Sequence, residues 1–260
     1  MPTTGPPGVL LYTRTTDYRH ASIPDGIAAF RELGAEHGFA VDATESPEVF
    51  ENGLAAYGAV VFLSTSGDVL TPGGREGLRA HCAAGGGFMG VHAAACTEYG
   101  WPFYGELLGA RFARHPALQP GTVLVADRDH PATRHLGPRW DFTDEWYDFR
   151  TVPRDTVRVL ASADESSYDG GGMGTDHPLV WTHEYGGARV FYTALGHTRE
   201  AYRDAAFRAH LLGGLRQVMP GHAGGPPAGS WSPGRQPSGC GTCQTPGGTR
   251  DGRPPPRVRR

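Results

Sequence analysis

A glycine-rich apolar segment constrains the fold of this chain more than any other: it reads Gly85-Gly86-Gly87-Phe88-Met89-Gly90-Val91-His92-Ala93-Ala94. It predicts a short buried strand that ends at His92 and is followed by small residues. A side chain at the tip of a tight strand-to-helix turn needs small neighbours, because backbone passes close beside it. In α/β hydrolases such a turn carries a serine nucleophile, whereas this turn carries a histidine. The segment therefore predicts an active-site turn and argues against acyl transfer.

Strand and helix patterns alternate through the first half of the chain. Apolar runs predict buried strands at 8–13, 39–41, 59–63 and 87–91. Helices are predicted to begin near Pro24, Ser46 and Thr71, where a proline or a capping residue suits the first turn. Such alternation predicts an α/β fold with a doubly wound, mainly parallel sheet and helices on both faces.

The second half of the chain consists of short apolar runs joined by turn residues. These runs predict strands at 122–125, 140–142, 157–160, 179–181 and 189–192, before an amphipathic helix at 201–218. Because short turns connect neighbouring antiparallel strands, we expect an antiparallel extension of the sheet in the C-terminal half.

Composition divides the chain near Pro220. Residues 1–220 predict one α/β domain, since a chain of 260 residues with 38% hydrophobic residues can bury one substantial core. Residues 221–260 are rich in glycine, proline and arginine, which predicts a disordered tail. Cys240 and Cys243 in this tail are interpreted as reduced thiols, with half a zinc site or a redox pair as the alternatives.

Charge and residue usage exclude several function classes. The net charge of −3 argues against a nucleic-acid or anionic-membrane partner. No apolar run approaches the roughly 18 residues that span a bilayer, and we expect a cytoplasmic protein. All 24 basic residues are arginine, so the chain lacks the lysine that Schiff-base and P-loop chemistry require.

Histidines at predicted strand ends are the leading candidates for chemistry. His20, His92 and His197 each lie near glycine or serine, where packing does not explain the choice of histidine. Because the carboxyl ends of parallel strands meet at one edge of a sheet, we expect these side chains to converge. His130 and His177, which each precede a proline, are predicted turn residues.

Asp144 and Glu145 form a carboxylate pair within the aromatic run 140–149. Aromatic faces stack on sugar rings while carboxylates accept hydrogen bonds from hydroxyls, so the run is typical of a carbohydrate site. An apolar wall also raises the pKa of a carboxyl group toward the range useful for acid–base catalysis. The alternative is an aromatic core strand whose acidic residues face solvent. The adjacent carboxylates break strict alternation, so one of them must point away from that face.

A divalent metal, zinc in particular, is a further alternative for this site. Imidazole and carboxylate groups are ordinary ligands of zinc and related ions. The sequence has no compact ligand spacing such as His-Glu-x-x-His, so a metal site would be assembled from distant loops. No other cofactor is predicted.

Nine segments, taken in order, resemble the ThuA-like (trehalose-utilisation) family. They are RHASIP at 19–24, GGGFMGVHAA at 85–94, WPFY at 101–104, LGA at 108–110, HP at 115–116, DHPAT at 129–133, DEWY at 144–147, HPLVW at 177–181 and GARVFYTALGH at 187–197. The resemblance covers roughly residues 8–218. It implies a flavodoxin-like sheet, the class I glutamine amidotransferase-like superfamily, and a link to the metabolism of trehalose or oxidised disaccharides.

The resemblance also bears on the chemistry available at the tight turn that carries His92, which we call the elbow. Amidotransferases of this superfamily carry a cysteine at the elbow, where this chain carries His92, and Cys96 lies four residues beyond. Histidine cannot form the thioester intermediate that glutamine hydrolysis requires, so we do not expect glutamine amidotransferase activity.

We therefore hypothesise an enzyme that acts on a sugar, with His92 as general acid or base near neutral pH. Glu145 is its expected partner carboxylate, and His20 and His197 are expected to line the same pocket. The predicted substrate contacts are Arg19, Ser64, Trp101, Tyr104, Asp144 and His183. Trp101 or Tyr104 would form the stacking wall, and a core role is the alternative for His183.

Two other function classes remain open at this point. One is a non-catalytic module that binds a sugar or another metabolite, and the other is a metal-dependent hydrolase. A small-molecule sugar is the expected partner, and the chain is compatible with a homo-oligomer.

Overall fold

The computed structural model describes residues 8–221. The strands are β1 (Gly8–Tyr12), β2 (Val41–Thr44), β3 (Tyr57–Leu63), β4 (Ser66–Gly67), β5 (Gly87–Val91), β6 (Cys96–Thr97), β7 (Phe112–Arg114), β8 (Gln119–Val125), β9 (Arg139–Asp144), β10 (Asp148–Phe149), β11 (Arg158–Asp164), β12 (Pro178–Tyr185) and β13 (Ala188–Thr193). The α-helices are α1 (Ile23–His37), α2 (Val49–Asn52), α3 (Pro72–Ala83), α4 (Pro102–Leu108) and α5 (Ala205–Val218). Apart from Gly221, the tail predicted at 221–260, with Cys240 and Cys243, lies outside the described residues.

A nine-stranded mixed sheet forms the centre of the fold. Its strand order is β2-β1-β3-β5-β13-β12-β11-β8-β9. The first five strands are paired in parallel. Every pairing from β13 to β9 is antiparallel. The predicted parallel sheet with an antiparallel extension in the C-terminal half is therefore confirmed at this level of detail.

Helices cover both faces of the parallel half. Successive side chains of a strand point to opposite faces of the sheet, so Phe62 and Leu63 of β3 contact helices on different faces. Phe62 packs against Tyr104 of α4, with 5.5 Å between ring centroids. On the other face, a Cβ atom at Gly26 of α1 would lie 2.8 Å from a Leu63 methyl group. No helix within residues 8–221 is long and apolar enough to cross a membrane.

Several element boundaries differ from the sequence-based predictions. The second strand was expected at 39–41 but spans Val41–Thr44. Gly38 ends α1 in a left-handed conformation, and the next amide bonds back to Gly34, so the chain has not yet extended. The helix expected at 201–218 is a 3-10 turn followed by α5, because Asp204 caps α5 by accepting from the Phe207 amide at 2.7 Å. Helix α4 was not predicted.

Gly87, at the start of β5, allows the sheet to approach α5 closely. A Cβ atom there would lie 2.4 Å from the Val218 carbonyl oxygen, a backbone atom that cannot rotate away. We expect Gly87→Ala to lower the free energy of unfolding by about 1–3 kcal/mol, the usual cost of overpacking. Urea denaturation measures this change. Gly100→Ala is the matched control, since nothing lies within 4 Å of that position; equal losses in both variants would contradict the close approach.

His210 of α5 should make stability depend on pH. Its Nδ1–H donates to the Ala132 carbonyl at 2.8 Å, and its Nε2 lies 3.1 Å from the Thr193 hydroxyl. Burial lowers the pKa of His210 to about 3. The pKa is thus lower in the folded chain than in the unfolded chain. The stabilisation is therefore complete above about pH 6.5 and declines as pH falls toward 3, by roughly 1.4 kcal/mol per pH unit.

This pH dependence is measured by denaturant unfolding between pH 7 and pH 4.5. We expect His210→Gln to show a shallower decline than the wild-type chain, because glutamine does not titrate. Burial of His130 acts in the same direction, so the variant keeps part of the slope. Identical slopes in the two proteins would contradict the assignment.

Candidate active site at the carboxyl end of the sheet

The predicted tight turn lies where β5 ends. His92 adopts a positive φ of 52°, a left-handed conformation that is rare outside glycine, and begins a 3-10 helix, His92–Ala95. Two residues earlier, a Cβ atom at Gly90 would come 2.6 Å from Leu108 and 3.0 Å from Tyr192. The strand end is therefore enclosed by neighbouring side chains, as the small residues of this segment indicated.

Four predicted residues converge at this turn: His20, His92, Glu145 and His197. One nitrogen or carboxylate oxygen from each lies within 4.8 Å of the others. His20 follows β1, His92 follows β5 and His197 follows β13, so three of them come from the carboxyl ends of parallel strands. We refer to these four residues as the His–Glu cluster.

Glu145 reaches the cluster because the antiparallel half of the sheet curls. In a flat sheet, β9 would lie four strand spacings from β13, about 19 Å at roughly 4.8 Å per strand. Instead, Phe142 of β9 packs on Phe207 of α5, with 5.5 Å between ring centroids. Asp144, at the end of β9, accepts a hydrogen bond from the Gly196 amide at 2.7 Å.

The hydrogen bonds of His92 fix its tautomer. Nδ1 lies 2.7 Å from the Ala194 carbonyl oxygen, and a carbonyl only accepts, so Nδ1 carries the proton. The lone pair of Nε2 therefore faces the cluster, 3.1 Å from His20 Nε2 and 3.6 Å from Glu145 Oε2. The Tyr147 hydroxyl also lies 2.9 Å from Nε2. His92 itself is fully buried.

Asp144 holds the turn that carries His197. Its buried carboxylate accepts from the amides of Gly196 at 2.7 Å, Glu145 at 2.8 Å and His197 at 3.4 Å. Its oxygens are thus occupied by backbone donors. Asp144 was predicted to contact substrate, and the structure places it behind the cluster as a support.

The groups of the cluster shift one another's pKa values. Burial by itself would raise the pKa of Glu145, but His197 and His92 outweigh burial and hold that pKa well below its usual range. Glu145 in turn raises the pKa of His197. Burial and the neighbouring His92 lower the pKa of His20 to about 3. At neutral pH the cluster therefore contains an ionised Glu145 and a neutral His20.

A cavity of about 430 Å³ opens beside the cluster. It is lined by Asp17, Tyr18, His20, Ser66, Ala93, Cys96, Tyr99, Phe112, His115, Glu145 and Tyr147. Glu145 and His20 thus connect the cluster to the cavity, while four aromatic rings supply its apolar wall. A second cavity, of about 570 Å³, lies along β9 between Asp141 and Asp204, and it contains none of the cluster residues.

Two residues of this site were not assigned a role from the sequence. Tyr147 stacks on His92 with 4.4 Å between ring centroids, and His115 Nε2 lies 3.6 Å from Glu145 Oε1. The DEWY segment contained the signal for Tyr147, since it places a tyrosine two residues after Glu145. His177, predicted as a turn residue, is instead buried and donates from Nε2 to the Tyr147 carbonyl at 2.8 Å.

The two residues expected to form the stacking wall lie elsewhere. Tyr104 is fully buried and donates to the Ala94 carbonyl, so its faces are covered by protein. Trp101 packs beneath the guanidinium groups of Arg75 and Arg79. Neither ring lines the cavity, and both belong to the core around α4.

Three other predicted contacts are not among the residues that line the cavity. Arg19 pairs with Glu45 at the surface, 2.7 Å away. His183 lies 3.3 Å from the Glu106 carbonyl, on the α4 side of the sheet. Ser64 is fully buried at the end of β3, with a positive φ of 48°. The sequence patterns found this edge of the sheet and, among the side chains that line the cavity, His20 and Glu145.

Comparison with models of protein families identifies the family that the chain resembles. The family model described as trehalose utilisation, ThuA, matches residues 8–218. The chain belongs to the ThuA family. No match is found among curated proteins. For this ThuA chain, membership of the glutamine amidotransferase-like superfamily remains a prediction.

Solved structures show the same fold. A ThuA-like protein from Bacteroides uniformis is 25% identical, with a TM-score of 0.70 over 83% of this ThuA chain and 93% of that one. One from Parabacteroides merdae is 22% identical, with a TM-score of 0.68 over 82% and 90% of the two chains. A β-galactosidase from Bacillus circulans sp. alkalophilus shares the fold over 82% of this chain and 30% of its own, at 14% identity and a TM-score of 0.54.

Proposed function

We propose that this ThuA-family chain is an enzyme that acts on a sugar or an oxidised disaccharide related to trehalose, by acid–base chemistry centred on the His–Glu cluster. The observation that carries the proposal is the convergence of three histidines and a carboxylate beside an aromatic cavity. The description of the family as trehalose utilisation supports a carbohydrate substrate. We retain a cytoplasmic location as part of the proposal.

The cavity has the dimensions and lining that a sugar needs. Its volume of about 430 Å³ falls within the 300–1,000 Å³ typical of small-molecule sites. Tyr18 is 63% exposed, so its ring is open to a ligand, whereas the Arg150 guanidinium lies 4.5 Å over the ring of Tyr99. The Tyr18 ring can stack on the C–H face of a sugar, while Glu145 and His115 accept or donate hydrogen bonds to its hydroxyls.

The groups that meet a substrate differ from those first expected. His92 lies buried beneath the cavity, whereas Glu145 and His20 line it. Ionised Glu145 can accept a proton from a sugar hydroxyl or from water and can pass it to His197, whose Nδ1 lies 3.1 Å away, so that Glu145 is a carboxylate again and His197 carries the positive charge. Burial raises the pKa of Tyr147, so its hydroxyl keeps a proton, which it donates to the lone pair of His92 Nε2 at 2.9 Å.

Glutamine amidotransferase chemistry is not part of this proposal. The elbow residue is His92, and the nearest cysteine, Cys96, is a poor nucleophile. Burial raises the pKa of the Cys96 thiol to about 12, so the reactive thiolate is scarce at neutral pH.

A ligand and turnover screen of the full chain tests the proposal. Trehalose, other glucosyl disaccharides and their keto derivatives are assayed by thermal shift, because a specific ligand stabilises the folded state. Sugars that raise the melting temperature are then incubated with the chain and followed by NMR. We expect at least one sugar to bind and to be converted. Saturable binding without conversion would indicate a non-catalytic binding module, and the absence of any sugar binding would overturn the proposal.

A metal-dependent hydrolase is a second candidate function. The observation that favours it is the set of four ligand atoms within 4.8 Å. In that case an ion held by His20, His92, Glu145 and His197 would supply Lewis-acid chemistry to a substrate in the same cavity.

A further inference from the structure

We infer that His20, His92, Glu145 and His197 together bind one divalent cation of the zinc class. This inference rests on the proposed function in one respect, since it takes the same side chains as the functional centre. It assigns them a different primary task, which is to hold an ion rather than to transfer protons themselves.

The spacing of the four ligand atoms fits one ion. His20 Nε2 and His92 Nε2 are 3.1 Å apart, His92 Nε2 and Glu145 Oε2 are 3.6 Å apart, and Glu145 Oε2 and His197 Nδ1 are 3.1 Å apart. Zinc bonds of about 2.0–2.1 Å in a tetrahedron separate neighbouring ligand atoms by about 3.3–3.4 Å. These three separations lie on either side of that value, and the ligand atoms of the other pairs lie within 4.8 Å of one another.

Two nitrogens of the cluster, on His197 and on His92, can each offer a lone pair to an ion. His197 Nδ1 lies 3.1 Å from Glu145 Oε2, yet the pair is not aligned as a hydrogen bond. Within residues 8–221 this buried nitrogen has no hydrogen-bond partner. His92 Nε2 also carries a lone pair, because the proton of its ring is on Nδ1, and the Tyr147 hydroxyl lies 2.9 Å from that nitrogen. An ion between these atoms would pair with His197 Nδ1 and with the carboxylate, and it would replace the Tyr147 hydroxyl at His92 Nε2.

Supporting contacts orient two of the ligands. The Ala194 carbonyl accepts from His92 Nδ1 at 2.7 Å, the arrangement that usually fixes the tautomer of a metal-binding histidine. Asp144 accepts from the backbone amides of Gly196 and His197 and so sets the position of the His197 side chain.

The ligand types and the cavity indicate the class of ion. Three imidazoles and one carboxylate suit zinc and neighbouring first-row ions, whereas calcium and magnesium favour all-oxygen sites. Because His20 and Glu145 line the cavity, the ion would have room for a water or a sugar oxygen on that side.

A second group of candidate ligands, Asp148, Glu165 and His177, does not share these properties. Asp148 pairs with the Arg114 guanidinium at 2.7 Å. Glu165 accepts from the Met173 amide at 2.8 Å, and both nitrogens of His177 have partners. We propose no ion there, since these groups satisfy one another.

Metal binding by the full chain tests the inference, with Zn²⁺ and Co²⁺ as the probes. Cys240→Ser and Cys243→Ser are introduced in every sample to remove the thiols of the sequence's Cys-x-x-Cys motif, which could bind zinc themselves. We expect calorimetry and elemental analysis to give one Zn²⁺ per chain. X-ray absorption should show three imidazoles and one oxygen donor around Zn²⁺, and Co²⁺ should give visible bands of a low-coordinate site. These readouts need no variant of the cluster.

Variants identify the ligands. Glu145→Ala and His197→Ala should each weaken Zn²⁺ binding by at least about 10–100-fold, the loss that even supporting contacts cause. His37→Asn is the control, because His37 lies at the end of α1 and outside both ligand groups. Circular dichroism establishes that each variant folds.

The outcomes separate this inference from the proposed function. Failure of the folded chain to bind stoichiometric Zn²⁺ or Co²⁺, or unchanged binding in both ligand variants, would overturn the inference. Sugar conversion by a folded chain that does not bind Zn²⁺ or Co²⁺ would overturn the inference and leave the proposed function standing. Stoichiometric metal binding without conversion of any sugar would overturn the proposed function and leave the inference standing.

Discussion

Replacing His92 by asparagine is expected to lower kcat/KM on the sugar identified by the screen by about 10²–10⁴-fold, the usual contribution of a group essential to acid–base chemistry. His92 Nε2 faces His20 Nε2 at 3.1 Å and Glu145 Oε2 at 3.6 Å, so its loss removes a nitrogen that contacts two other members of the cluster. Asparagine can still donate to the Ala194 carbonyl and tolerates a positive φ better than most residues. The expected loss is therefore one of chemistry rather than of folding.

Steady-state kinetics and thermal unfolding of the same samples check this expectation. His37→Asn makes the same side-chain change at the surface and should leave both kinetics and unfolding unchanged. If His92→Asn converted the sugar at the wild-type rate, the His–Glu cluster would not be the reaction centre.

Replacing Asp144 by asparagine is expected to lower the free energy of unfolding by about 2–3 kcal/mol. Asp144 accepts from the Gly196 amide through one oxygen and from the Glu145 amide through the other. An asparagine side chain has a single acceptor oxygen, so its NH₂ group must face one of these buried N–H donors. The turn that carries His197 then loses its anchor, and we also expect a lower kcat.

Chemical denaturation measures the stability change in Asp144→Asn, and kinetics measures the second effect. Asp141→Asn is the matched control on the same strand. Asp141 is exposed and accepts from the Thr122 hydroxyl at 2.9 Å, a bond that asparagine can also accept. Its effect should stay within about 0.5 kcal/mol. Similar losses in both variants would contradict the special role of the buried carboxylate.

The parallel half of the fold could be predicted because its signals are local. The run from Gly87 to Val91 is apolar and ends at His92, and strand β5 spans those residues. Parallel strands place their carboxyl ends at one edge, so the convergence of His20, His92 and His197 followed from the strand assignments alone.

The position of Glu145 beside the histidines could not be predicted from local sequence patterns. The aromatic run indicated a carbohydrate site, but nothing in it shows that β9 curls back onto α5 and brings Asp144 to Gly196. Curling depends on packing between residues more than 50 positions apart, such as Phe142 and Phe207. Periodicity within a single strand contains no such information.

The stacking wall was misplaced for a related reason. Trp101 and Tyr104 follow an aromatic pattern that suits either a sugar-binding surface or a core helix. Tyr104 packs against Phe62 and Phe88, so burial of apolar area decides its role. Tyr18 and Tyr99, which do face the cavity, lie in loops without a periodic pattern.

The most direct test of the central claim is a crystal structure of Glu145→Gln with the sugar identified by the screen. Removing the charge of Glu145 should slow conversion enough to retain the ligand. We predict that the sugar occupies the cavity beside the His–Glu cluster, with its reacting atom within about 3–3.5 Å of residue 145. A sugar bound instead in the second cavity, between Asp141 and Asp204, with no ligand beside the cluster, would contradict the account.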